Sequence, residues 1–238
     1  MKRVRYGLRS PASADGRSGA SLLIERMYAW RGYRGAGLEA DNPHRITLTA
    51  ADQGEVVGTL TIGIDAGIDA GIDAGIDAGI DPGAGLMADH MYKDELDALR
   101  RDGARLCEVT RLAFDRSVQS RHALASVFHL AFIYAREMHG CTDAVIEVNP
   151  RHRRFYERML GFRQLGDLKT NARVNAPSYL LHVSLAHVAQ RVAQVGGAFS
   201  RGAGTPERSF YPYFFSPEEE RGIVARLLQA GGTRASAG

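Results

Sequence analysis

Glu108 lies in the run ARLCEVTRLAF (104–114), whose apolar, β-branched character reads as a buried strand. Burying an unpaired carboxylate is costly, so this acid needs either a cationic partner or a task such as general base. Arg111, three residues on, offers a planar fork suited to a carboxylate or a phosphate. On a regular strand that spacing points the two side chains to opposite faces, and a bulge is needed to change this. A second segment, DAVIEVNPRHRRFYERMLGF (143–162), passes from strand to helix with Asn149 at the N-cap, Pro150 in the first turn and Gly161 beyond the end. Within that helix stands Tyr156. Asn149 and Tyr156 each keep a structural alternative, as helix cap and as core packing. His90 and Asp94 form His-x-x-x-Asp, but on a charged helix this spacing is common by chance and makes an i,i+4 pair. The sequence holds no nucleophile elbow, phosphate-binding glycine loop or zinc-ligand spacing.

The elements that must position these residues follow from periodicity. Leu23, Met27 and Trp30 share one face of SLLIERMYAW (21–30), which predicts an amphipathic helix. RITLTA (45–50) and EVVGTLTIG (55–63), joined by the turn-like Asp52-Gln53-Gly54, predict an antiparallel hairpin. Gly-Ile-Asp-Ala then repeats between Gly63 and Pro82. A helix there would carry a glycine every turn at about 1 kcal/mol each and stack aspartates at i,i+4, so a loop or extended ribbon inserted at a hairpin tip is expected. Helices are expected over 86–101 and 120–139, the latter stopped by Gly140, and the order strand, helix, strand, helix from 104 to 160 implies two parallel central strands. Two further strands, 162–167 and 178–185, should follow. Ser216-Pro217-Glu218-Glu219-Glu220 is a strong helix start, and the final helix should reach about Gln229 and dock through Ile223 and Leu227.

Composition narrows the function classes. The chain has 238 residues, 45% of them hydrophobic, enough for one sizeable core. Its formal charge is only +3, carried largely by arginine, which favours acidic partners without separating a nucleic acid from an acidic protein or an anionic substrate. Cys107 and Cys141 have no metal-ligand spacing and read as small buried hydrophobes in a reducing compartment. The basic N-terminus lacks an apolar signal core and no window suits a membrane span, so a cytoplasmic location is expected.

The spacing of Glu108, Asn149, Tyr156 and Gly161-Phe162 resembles the acyl-transfer half of the Gcn5-related N-acyltransferase (GNAT) superfamily, and within it the N-acyl amino acid synthases and the related acyl-homoserine-lactone synthases. The resemblance spans roughly 20–185. It implies an α/β fold with a mixed central sheet, splayed parallel strands, helices on both faces and a C-terminal helical extension. The organisation expected is a flexible segment 1–19, an acyltransferase domain 20–185 interrupted by the repeat at 63–82, and the extension 186–238. It also implies a bulge in the Glu108 strand and a notch for a pantetheine arm. Glu108-Val-Thr-Arg111 is similar to the Glu-x-Ser-Arg run of the lactone synthases, which puts Thr110 and Arg111 beside the substrate. Glu108 would be the catalytic base, Tyr156 would lie near the departing sulfur, and Asn149 would lie beside the pantetheine.

Acetyl-CoA enzymes of the superfamily follow the bulged strand with a glycine-rich loop that cradles a pyrophosphate at a helix N-terminus. Here the loop is RSVQSRHALA (116–125), without glycine. That departure favours acyl carrier protein as donor, with Arg116 and Arg121 toward its phosphodiester or acidic surface. The expectation is transfer of a medium or long acyl chain from acyl carrier protein to the amine of an amino acid, with acyl-CoA as a possible donor and with no tightly bound cofactor, metal, nucleic acid or transmembrane segment. The alternatives are an acetyl-CoA-dependent acetyltransferase and a non-catalytic interaction module.

Overall fold

The computed structural model describes residues 5–7, 20–24, 27, 42, 44–52, 55–65, 85–115, 121–202 and 207–235. The repeat between 66 and 84 and Arg116 lie outside them. Of the expected first helix, residues 21–24 and 27 are described, and they are helical, as is Ala20 before them.

The predicted hairpin is present. Strand β1 (Arg5–Gly7) pairs with β2 (Arg45–Asp52), and β2 pairs antiparallel with β3 (Glu55–Ile64), Arg45 opposite Gly63. Helix α1 (Asp89–Arg101) starts later than the sequence pattern suggested and is kinked at Tyr92 (φ −127°). Strand β4 (Leu106–Phe114) follows, then α2 (Arg121–Ile133), which runs into a π-helical turn at Tyr134–Met138. Gly140 (φ +61°) ends it in the left-handed region, as glycine permits. Strand β5 (Asp143–Val148) leads to α3 (Pro150–Leu160), capped by Asn149 and closed by Gly161 (φ +75°). The strand expected at 162–167 shrinks to β6 (Arg163–Gln164), and an additional strand, β7 (Lys169–Asn171), precedes β8 (Ala176–Ser184). These pieces are short and polar, so they carry too little periodicity to be read from sequence. The chain ends with α4 (Leu185–Val195), a 3₁₀ turn at Tyr211–Tyr213 and α5 (Pro217–Ala235), longer than expected.

The sheet order is β1-β2-β3-β4-β5-β8-β6, with β7 also paired to β8. β4 and β5 are parallel, as the strand-helix-strand order required, and every other pair is antiparallel. The two sheet faces differ in chemistry. Leu48, Leu60, Ile62, Cys107, Val109, Ile146 and Leu181 join the main core with residues of α2 and α3. On the other face, Leu106, Val145 and Leu180 pack with Tyr92 and Leu96 of α1. Toward β2 and β3 that second face turns polar yet stays buried, through Thr47, Thr49, Thr59 and Thr61.

The C-terminal helix is held by the devices its sequence announces. Ser216 Oγ accepts from Glu219 N–H (3.2 Å) while Glu219 Oε2 accepts from Ser216 N–H (2.8 Å), a capping box. Buried His129 of α2 accepts at Nδ1 from Phe215 N–H (2.9 Å), stacks on Phe214 (4.5 Å between centroids) and presents Nε2 to Glu220 Oε2 (3.4 Å). The Phe215 bond fixes the neutral tautomer with its proton on Nε2.

Burial holds the His129 pKa below its ordinary 6.5, against the pull of Glu220 and Glu219. Because the folded value is depressed, the unfolded chain binds the extra proton. Stability from this contact is therefore full above about pH 6.5 and lost as pH falls below it. His129→Gln should lower the melting temperature at pH 8 and flatten its decline between pH 7 and 5, as followed by thermal unfolding. A decline as steep as the parent's would show that His129 does not couple α5 to protonation.

Candidate active site

The ladder between β4 and β5 lasts from Leu106↔Asp143 to Glu108↔Val145 and ends there. Beyond it, β4 stays with β3 to Phe114 and β5 stays with β8 to Val148, so the parallel strands part just past Glu108. A second irregularity adjoins the first. Thr61 pairs with Thr110 and Thr59 with Ala113, which leaves one extra residue on β4, and Arg111 takes φ +49° within it. The bulge reverses the side-chain alternation: Cys107 and Val109 face the main core before it, and Leu112 and Phe114 do so after it. The bulge on which the Glu108–Arg111 relation depended is thus real. Its carbonyl accepts from Thr59 Oγ1 (3.2 Å), and Thr110 Oγ1 donates to Thr61 O (3.5 Å).

Glu108 is 1% exposed, and its Oε2 accepts from Met87 N–H (2.6 Å) in the turn before α1. That turn is pinned by Asp89, whose Oδ2 accepts from Leu86 N–H (2.8 Å) and which receives both Nη atoms of Arg100 (2.7 and 2.9 Å). Arg100 also reaches Asp65 just past β3 (2.6 Å) and Asp97 (2.8 Å), tying α1 to the sheet. Desolvation pushes the Glu108 carboxyl up to about 7; Met87 N–H and Arg45 oppose this, and Glu147 and Asp89 add to it. A carboxyl titrating near neutrality has the basicity proton transfer requires, and it stands at the point where the sheet opens.

Tyr156 lies on the other face. It is buried in the main core, edge-on to Phe128 (6.3 Å), Phe155 (5.2 Å) and Phe162 (6.2 Å). Glu108 and Tyr156 are therefore separated by the sheet, and the parting of β4 and β5 is the opening between their two sides. Asn149 caps α3, Oδ1 accepting from Arg151 N–H (3.3 Å) and Nδ2 donating to Pro177 O (3.3 Å). Arg121 is exposed at the first position of α2. His90 and Asp94 are exposed on α1.

Sequence reasoning missed the neighbours of Glu108. Arg45, Gly63, Glu108 and Val145 form one cross-strand row over four strands. Glu147 shares the Val145 face of β5 and accepts at Oε1 from Asn171 Nδ2 (2.7 Å). The alternation Thr-Leu-Thr at 47–49 and 59–61 was a signal for a polar sheet face that could have been used. Among the described residues no helix is long and apolar enough to cross a membrane, and no group of three or more His, Cys, Asp or Glu could hold a metal.

Several solved structures share this architecture. The acetyltransferase of the GNAT family from Streptococcus pneumoniae matches with a TM-score of 0.50 at 11% identity, over 76% of this chain and 99% of that one. The acyl-homoserine-lactone (AHL) synthase LasI matches with 0.52 at 10% identity, over 78% and 91%. FeeM, an N-acyl amino acid synthase from uncultured soil microbes, matches with 0.61 at 27% identity, over 80% and 94%. A comparison with curated proteins finds no match. The fold is that of the GNAT acyltransferases. The family model of the N-acyl amino acid synthase FeeM matches residues 19–184, and the chain belongs to that family.

Glu108→Gln keeps an oxygen for Met87 N–H but removes the ionisable carboxyl, and so tests it as the general base. Turnover should fall roughly 10²–10⁴-fold. The parent's rate should fall as pH drops through about 7, since the base must be ionised, and the variant should lack that limb. Because the unfolded chain gives up this proton at lower pH than the folded one, the carboxyl costs stability as pH rises from about 4.5 to about 7 and the full cost stands at pH 8, so the variant's melting temperature there should be no lower than the parent's. Activity within a few fold of the parent in the folded variant would contradict the assignment.

Proposed function

We propose that the protein acylates the α-amine of an amino acid, taking a medium or long acyl chain from acyl carrier protein in the cytoplasm. The observation that carries this reading is the buried, near-neutral carboxyl of Glu108 at the parting of the parallel strands, in a chain of the N-acyl amino acid synthase family. An amino acid arrives mostly as ammonium, which has no lone pair to attack with. Glu108 takes a proton from it, with Oε1 as the oxygen not engaged by Met87. The freed amine attacks the thioester carbonyl. The C–N bond forms first, and backbone N–H groups at the Arg111 bulge hold the resulting oxyanion; the attacking nitrogen gives up its second proton as the intermediate collapses, the C–S bond breaks, and the thiolate takes a proton from the Tyr156 hydroxyl, which that second proton restores through solvent. The products are the N-acyl amino acid and the free thiol, with the ammonium's proton passed to solvent through Glu108.

In this reading Thr110 and Arg111 line the acceptor side of the opening, and Asn149, beyond capping its helix, lies along the pantetheine arm. The glycine-free loop after β4 supports a carrier-borne donor over a free pyrophosphate-bearing one. Arg121, exposed at the start of α2, and Arg116 meet the carrier's acidic surface.

Two outcomes test the donor side. Arg116→Glu with Arg121→Glu should weaken use of acyl carrier protein and its salt dependence, while use of a minimal acyl-pantetheine changes little. An unchanged rate with the carrier, or a parent that prefers acetyl-CoA, would favour an ordinary acetyltransferase instead. Tyr156→Phe preserves the ring contacts, so a loss of about 10–100-fold in turnover with an unchanged melting temperature would report the hydroxyl. Full activity would reduce Tyr156 to packing.

A further inference from the structure

The face of the sheet that carries Glu108 is polar where a core should be apolar. Thr47, Thr49, Thr59 and Thr61 are buried, and the Thr47 and Thr61 hydroxyls bond each other (2.8 Å). Along the row beside them the charges are ordered. Arg45 on β2 faces Gly63 on β3, Gly63 faces Glu108 on β4 and Glu108 faces Val145 on β5, while Glu147 stands two residues further along β5, past the end of the β4–β5 ladder. Residues in cross-strand register point to the same face, with strands about 4.8 Å apart. Arg45 and Glu108 therefore flank a position that has no side chain.

Gly63 is not needed for backbone reasons, since its φ is not in the left-handed region. Among the described residues, a Cβ built there meets only the Glu108 Cβ at 3.9 Å and the Glu108 carbonyl oxygen at 4.0 Å, an ordinary contact distance. A β-branched residue would suit a strand better than glycine does. The glycine therefore leaves room between a guanidinium and a carboxyl, within a buried polar surface and next to the notch.

We infer that the Arg45–Gly63–Glu108 row is the seat of the acceptor's two charged groups, with Arg45 holding a free α-carboxylate. This rests on the amino-acid acceptor reading above and adds to it a required feature of the substrate. The order of charges sets the orientation. The ammonium lies at Glu108, beside the opening where the thioester carbonyl enters, with the Glu147 carboxyl across that opening. The carboxylate extends away over Gly63 to Arg45. A guanidinium fork is the side chain best matched to a carboxylate, and neutral amines or amino-acid amides offer it no anion. Arg45 is a specificity residue in this scheme and takes no part in bond making. Its Nη2 also lies 3.5 Å from Gly85 O, so a purely structural role must be told apart.

The test pairs common amino acids with the matching amino-acid amides, using one acyl donor. The parent should prefer the carboxylate of each pair. Arg45→Gln should raise KM for amino acids roughly 30–1000-fold with a smaller change in kcat, and should bring the two acceptor classes within a few fold of each other. Gly63→Val should raise KM for amino acids while leaving the melting temperature no lower. A structural role for Arg45 would depress both classes equally and keep the preference, and that result overturns the inference. A parent that acylates amides as well as amino acids overturns it too while leaving amine acylation intact. A parent that acylates no amine removes the acceptor reading and the inference with it.

Discussion

The site depends on where a hydrogen-bond ladder ends. β4 and β5 pair in parallel as far as Glu108 and Val145 and then separate, each kept extended by its other neighbour. Had the ladder continued, no gap between the two strands would adjoin Glu108. The bulge at Arg111 belongs to the same event, because an extra residue on β4 bends the strand away from β5 and shifts its alternation. The Arg100 cluster then fixes the turn that supplies Met87 N–H to Glu108. The carboxyl is thereby buried with Met87 N–H as its hydrogen-bond donor among the described residues, and desolvation outweighs Met87 and Arg45 to raise its pKa toward neutrality.

The two faces of the sheet divide the work. The apolar face carries α2, α3 and the aromatic cluster around Tyr156, and the C-terminal segment closes over it through Phe210, Tyr211 and Phe214. Tyr211 donates to Leu160 O and Phe210 N–H to Met159 O at the end of α3, so residues outside the family match brace the helix that bears Tyr156, while Phe215 is tied to His129 of α2. The polar face lies beneath α1 and beside the threonines of the hairpin. In the proposed reaction an acyl thioester and a charged amine require such different surroundings, and the parting of β4 and β5 lies between the two.

Much of this was legible in the sequence wherever the signal was local. The β2–β3 hairpin, both central strands, the Asn149–Pro150 start of α3, the Gly161 stop and the Ser216 capping box follow from residues within a turn of one another. Glu108 was visible as a lone acid in an apolar strand. Its companions were not, because Arg45, Gly63 and Glu108 meet through register across three strands, and periodicity does not fix register. Arg111 in a left-handed conformation carries no sequence mark, since that region usually announces itself by glycine. The strands β6 and β7 are too short for alternation to register.

The central claim is that Glu108 is buried at the opening with a pKa displaced to where it can exchange a proton with an ammonium. Isotope-edited infrared titration of the glutamate carboxyl stretch, with Glu108→Gln to assign the band, measures that directly. The account predicts a band that ionises with a midpoint near 7. A midpoint near the ordinary glutamate value of 4.5 would contradict it.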